Sequence, residues 1–184
     1  MSKFEFVGVL LGMVLSLAIG HVLTGVGQIV QRGIRTFSIP LAGWMIYLLF
    51  LCIDMWFSMW SIRDQPTYSL GYVAFLMFMG SLLYVSCWLV VPHGQGDGPL
   101  DLVAFYAAHR RKALSGIILY FVTAELVNVT LPGFDSWGLA ALMAGLIVAA
   151  AAAWYWAAPW LQLVAISVIY VLAGIYAVTY IPSL

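Results

Sequence analysis

His21, Asp54 and Glu125 are ionisable side chains set inside long apolar stretches of the chain. A charge at membrane depth is costly unless it is paired, neutralised or turned towards a cavity. Histidine titrates near neutral pH, so His21 could pass a proton or hold a ligand. Thr24, Gly25 and Gln28 follow it at i+3, i+4 and i+7, a polar strip on one helix face. Asp54 shares a face with Tyr47 and Ser58, and Glu125 shares one with Asn128. Asp54 is about 21 Å from Pro40 and Glu125 about 20 Å from Lys112, at 1.5 Å per helical residue. The two acids are thus expected at similar depth, and if they meet, both cannot be ionised cheaply. Such a pair is what a proton- or cation-handling site needs. The alternative is three neutral groups hydrogen-bonded to neighbouring helices. Arg63 is the nearest cation to Asp54, about two and a half turns further along, within reach only by snorkelling inward.

These residues need elements that can carry them through an apolar medium. Of the 184 residues, 65% are hydrophobic and 8% charged. Apolar runs predict six transmembrane helices, at roughly 4–30, 40–62, 70–91, 111–131, 137–156 and 160–181. The connections are short, so the reading is one all-α integral membrane bundle over residues 1–184. Pro40, Pro66, Pro92, Pro132, Pro159 and Pro182 fall at predicted boundaries, where proline is tolerated. Tryptophans and tyrosines gather towards span ends, as in aromatic belts. The stretch Leu100 to Lys112 reads as an interfacial amphipathic helix running into span four. Leu102, Phe105 and Tyr106 share one side of it; Asp101, His109 and Lys112 lie towards another.

Loop charges set an orientation. Arg32, Arg35, Arg110, Arg111 and Lys112 lie on one side of a six-span bundle; Lys3 and Arg63 lie on the other. The positive-inside rule makes the first set cytoplasmic and puts both termini outside. The start is not read as a cleaved signal peptide: Glu5 follows Lys3, the apolar run is too long, and no A-x-A-like site closes it. A bacterial inner (plasma) membrane is the expected location.

Gly8, Gly12, Ser16, Gly20 and Thr24 recur every fourth residue and make one ridge of small side chains along span one. Such a ridge lets another backbone approach closely. It predicts a tight helix contact, either within the chain or with a second copy or a membrane-complex partner. Span five carries a weaker ridge, Ala141, Gly145, Ala149 and Ala153. Cys52 and Cys87 are expected at depths roughly 10 Å apart, beyond the reach of a disulfide. Both read as small packing residues.

Zero formal net charge gives no electrostatic case for nucleic acid. No lysine lies mid-span for a retinal Schiff base, and no arginine recurs at every third position as in a voltage sensor. TVGYG, G-x-S-x-G and H-E-x-x-H are absent. His93 and His109 lie near the surface, so no axial pair for haem is expected. The run Met55 to Trp60 reads as packing or lipid contact. No cofactor, metal site or catalytic constellation is predicted, and the chain is not read as an enzyme. Two classes remain. One is a channel or transporter-like protein in which His21, Asp54 and Glu125, with Asn128, line a path for protons, cations or a small solute. The other is a non-catalytic accessory or scaffold subunit, held in the lipid bilayer against a partner through its small-residue ridge.

Glu5-Phe-Val-Gly-Val9, His21-Val-Leu-Thr-Gly25 and Phe105-Tyr-Ala-Ala-His-Arg-Arg111 resemble a group of short, multi-span bacterial inner-membrane proteins with no assigned activity. The resemblance implies an inner-membrane location and carries over no catalytic residue.

Overall fold

A computed structural model describes residues 3–60, 63, 68–92, 98–130 and 137–180. It holds six helices: α1 Lys3–Arg32, α2 Ile39–Trp60, α3 Leu70–Val90, α4 Leu102–Thr130, α5 Trp137–Tyr155 and α6 Pro159–Tyr180. All six are long and apolar enough to cross a membrane. The chain is an all-α polytopic membrane bundle. A helix suits this medium because it satisfies its own backbone groups where water cannot. Pro40 and Pro159 sit in the first turns of α2 and α6, where a missing N–H costs little. Pro66, Pro132, Pro182 and His93 lie outside the described residues.

The bundle is built around α2, which touches α1, α3, α4 and α6. Its Trp44, Tyr47, Leu48, Leu51 and Cys52 are almost fully buried. Around it, α3 packs on α1 and α4, α4 on α5, and α5 on α6. Outward faces carry exposed Leu17, Ile46, Val148, Val171 and Val178. Water would penalise such a surface; lipid does not. Small residues set the closest approaches. A Cβ at Gly80 of α3 would lie 2.7 Å from Leu11 Cδ1 of α1, and one at Gly43 of α2 would lie 2.8 Å from Ile166 Cγ1 of α6.

The connections hold a feature that the sequence reading did not anticipate. Strand β1, Ile34–Thr36, pairs in parallel with β2, Leu100–Asp101. Gly33 ends α1 in the left-handed region, φ 76°, and its N–H bonds to the Ile29 carbonyl at 3.1 Å. The Gly33 carbonyl then accepts from the Leu100 N–H at 3.0 Å, and Arg32 donates to the Gly98 carbonyl at 3.2 Å. The Thr36 hydroxyl donates to the Asp101 carboxylate. Asp101 also caps α4, accepting from the Ala104 N–H at 2.9 Å. The Ala104 N–H, then the Thr36 hydroxyl and the Arg35 charge, hold this carboxyl below the usual carboxylate range. The helix expected from Leu100 and running into span four is present, but it starts at Leu102. Two residues form a strand, and α4 then runs unbroken from Leu102 to Thr130.

Arg110 departs furthest from expectation. Read as a loop cation, it is instead buried, in line with Tyr106 and Leu102 on the packed side of α4. Its guanidinium donates to the Ala153 carbonyl at 2.6 Å and to the Trp156 carbonyl. These carbonyls end α5 and lack helical partners, and a cation there also complements the helix dipole. Gln162 of α6 donates to the same two carbonyls at 2.8 and 2.5 Å. Its Oε1 accepts from the Tyr106 hydroxyl at 2.5 Å, which in turn accepts from Trp44 Nε1 at 3.1 Å. One polar chain thus joins α2, α4, α5 and α6.

The cysteines also need correction. Cys52 and Cys87 are both free and buried, and their thiols are within hydrogen-bonding reach of each other. The expected 10 Å offset assumed that α2 and α3 reach the same face. Instead α3 stops at Val90, and Val91 packs against Gly25, well before α1 ends at Arg32. That shift along the bundle brings the two thiols together.

Replacing Arg110 by Met should destabilise the bundle by about 2 kcal/mol or more, the worth of charge-assisted bonds to otherwise orphaned carbonyls. An unchanged melting temperature in detergent would count against this node. Asp101 should confer an acid-dependent component of stability. Because its folded pKa is depressed, the contribution holds above the ordinary Asp value of about 4 and is lost as pH falls through the folded value. Asp101→Asn should flatten that part of the pH profile, read by thermal unfolding between about pH 6 and 3.

Candidate intramembrane cavity

Asp54 faces a cavity of about 340 Å³ lined by α2, α3, α4, α5 and α6. Its placement follows from helical spacing on α2: Tyr47, Leu51, Asp54 and Ser58 fall on one face and all line the cavity. The Tyr176 hydroxyl of α6 pairs with the Asp54 carboxyl and also meets Ser58. Asp54 Oδ1 is nonetheless buried with no hydrogen-bond partner. The phenols of Tyr47 and Tyr120 stand close enough to interact electrostatically with the carboxyl. Among the described residues, no lysine, arginine or histidine lines the wall.

The cavity lies towards one end of the bundle. Asn128 is two residues before the last residue of α4, Tyr176 four before the last of α6, and Tyr72 two after the first of α3. Asp54 is six residues from the end of α2, about 9 Å along the helix. The Arg110 node and the strand pair occupy the opposite end.

The other sequence candidates are distributed differently. Asn128 lines the cavity; Glu125 does not. Glu125 bonds Asn128, and its Oε2 is buried without a partner. The two acids therefore do not form a direct pair, and Glu125 borders the cavity only through the Asn128 amide. A single helical residue turns a side chain by about 100°, so Ala124 faces the cavity while Glu125 faces aside. His21 is on α1, which contributes nothing to this wall. It stacks on Trp88, with ring centroids 6.5 Å apart and planes at 26°, and meets the edge of Tyr84. Arg63 does not line the cavity; its guanidinium lies 4.8 Å over the Trp60 ring.

The ridge on α1 borders a second depression, about 570 Å³, between α1 and α2. A Cβ at Gly12 would lie 3.0 Å from Trp56 Cζ3, while one at Gly8 or Gly20 would meet nothing within 4 Å. Ser16 lines the same depression, and the Thr24 hydroxyl bonds back to the Gly20 carbonyl at 2.8 Å. Within the chain, the ridge thus meets an indole rather than a helix backbone. The closely packed stripe of α1 is the neighbouring one, Val7, Leu11, Leu15, Ala18 and Val22. On α5 the weaker ridge does pack: a Cβ at Gly145 would lie 2.9 Å from Leu172 of α6, and Ala149 and Ala153 are buried.

No family model, curated protein or solved structure matches this chain. What the site can do is therefore argued from its own chemistry. Among the described residues, no cluster of three or more His, Cys, Asp or Glu could hold a metal ion. The sequence reading missed Tyr120 altogether and assigned Tyr72 and Tyr176 to interfacial belts. A usable signal was present: Tyr176 lies four residues from the end of α6, between the two and six residues by which Ser58 and Asp54 precede the end of α2.

Gly12→Leu should drive a side chain into Trp56 and lower stability by about 1–3 kcal/mol, as overpacking does. Gly20→Leu meets open space and should leave the melting temperature unchanged. Equal effects of the two variants would remove the distinction between them.

Proposed function

We propose that this chain is a transporter-like protein of a bacterial plasma membrane, working through the Asp54 cavity. The cytoplasmic side would be the end bearing Arg32, Arg35, Arg110, Arg111 and Lys112. In that orientation the cavity lies in the outer half. The observation that carries the reading is a buried carboxyl oxygen, Asp54 Oδ1, with no hydrogen-bond partner and, among the described residues, no basic residue on the cavity wall. A carboxylate in such surroundings is costly unless it takes up a proton or meets a cation. Either event makes Asp54 the coupling group of a site that handles a proton, a cation or a small solute. Phenols at Tyr47, Tyr120 and Tyr176 supply hydroxyls that can bond the acid in either state.

A second reading, an accessory subunit, draws on the α1 ridge. Gly8 and Gly20 have open space where a side chain would stand, and a helix from a partner or a second copy would fit against them. In that reading the cavity is incidental and its acid is replaceable by an amide.

Flux measurements in proteoliposomes separate the two. Asp54→Asn should abolish proton- or cation-dependent flux, while Glu125→Gln, outside the cavity, should retain most of it. If wild-type vesicles pass no more than empty liposomes, or the Asn variant is fully active, the transport reading fails.

A further inference from the structure

We propose that the cavity takes a monovalent organic cation with an apolar body, such as a tertiary amine in its protonated form or a quaternary ammonium. This rests on the reading of the Asp54 cavity as the working site. Charge decides the first part. Among the described residues, Asp54 is the only acid on the wall and no basic residue opposes it, so one positive charge restores balance to an ionised Asp54. A neutral solute would leave an ionised carboxyl without a counter-charge, and an anion would be repelled.

Ligand chemistry decides the second part. Divalent inorganic cations take six to eight oxygens, or a near-ideal octahedron, in exchange for their water. The wall offers one carboxyl and a few scattered neutral groups. Several of these are committed: Asn128 to Glu125, and the Tyr176 hydroxyl to Asp54 and Ser58. An inorganic ion would lose more hydration than this wall returns. An organic cation brings little hydration to lose.

The wall supplies the complementary surface. Tyr47, Phe75, Tyr120, Phe121 and Tyr176 reach it from four helices, with Tyr72 at the end nearest the start of α3. Aromatic faces attract cations, most where water is excluded. A volume of about 340 Å³ accommodates a small aromatic amine and lies within the range of small-molecule sites.

The test compares a charged probe with its neutral isostere, benzyltrimethylammonium against neopentylbenzene. Equilibrium dialysis of radiolabelled benzyltrimethylammonium is run on the full chain in detergent, with empty micelles subtracted. Saturable binding is expected, displaced by the unlabelled cation but not by equal concentrations of neopentylbenzene or Na⁺. Asp54→Asn should weaken it about thirty-fold or more, as loss of a buried charge partner does, and Tyr72→Leu about threefold. Absence of saturable binding, equal displacement by the neutral isostere, displacement by Na⁺, or full binding by the Asn variant overturns the ligand class. If the Asn variant does not fold, the isostere comparison on the wild type decides alone. Asp54-dependent proton flux without probe binding would leave the transport reading standing and sink this one. Probe binding without any flux would do the reverse.

Discussion

A helix that ends inside an apolar bundle leaves carbonyls that water cannot reach. The end of α5 meets that constraint by taking a guanidinium from α4 and an amide from α6, Arg110 and Gln162, onto the Ala153 and Trp156 carbonyls. Much of the arrangement depends on this exchange. It fixes the corner between α5 and α6, sets α4 against both, and reaches α2 through Tyr106 and Trp44. The charge of Arg110 is tolerated because the helix-end carbonyls it meets concentrate negative dipole. Every helix held by this chain except α5 then presents a tyrosine to Asp54: Tyr47, Tyr120 and Tyr176 come from α2, α4 and α6.

The six helices were legible because a span is a matter of length and composition, and both are local. Asp54 was legible for the same reason: an acid stands out in an apolar run. What surrounds it was not. Glu125 and Asp54 lie at comparable depth, yet a turn of one residue decides that Ala124 rather than Glu125 faces the cavity. His21 has a suitable face, but α1 lies outside the cavity wall and gives His21 to Trp88 and Tyr84 instead. Periodicity gives the phase of one helix and says nothing about which helix stands opposite.

Arg110 shows the other limit. Loop charge counting treats every arginine near a span end as solvated. Helical spacing from Leu102 and Tyr106 would have placed Arg110 on the packed side. The polar atoms it serves, however, belong to residues more than forty positions away along the chain. The Cys52–Cys87 contact was hidden in the same way, by a longitudinal offset of α3 that no count of apolar residues contains.

That offset has a mechanical meaning. α3 is the short member between two tall neighbours, 21 residues against 30 in α1 and 29 in α4. The strand pair bridges those neighbours above its end, like a lintel over a low post. With the Arg110 corner beside it, this end of the bundle is braced twice, and lengthwise shear between α1 and α4 would have to break the lintel. The cavity sits at the opposite end. Relative motion of α1 and α4 is therefore restrained at the tied end, and any spreading of the helices would be greatest away from it, like the arms of tweezers from a fixed base. The unequal heights also present the bilayer with a notched rim, so lipid packing around α3 bears directly on how freely those arms spread.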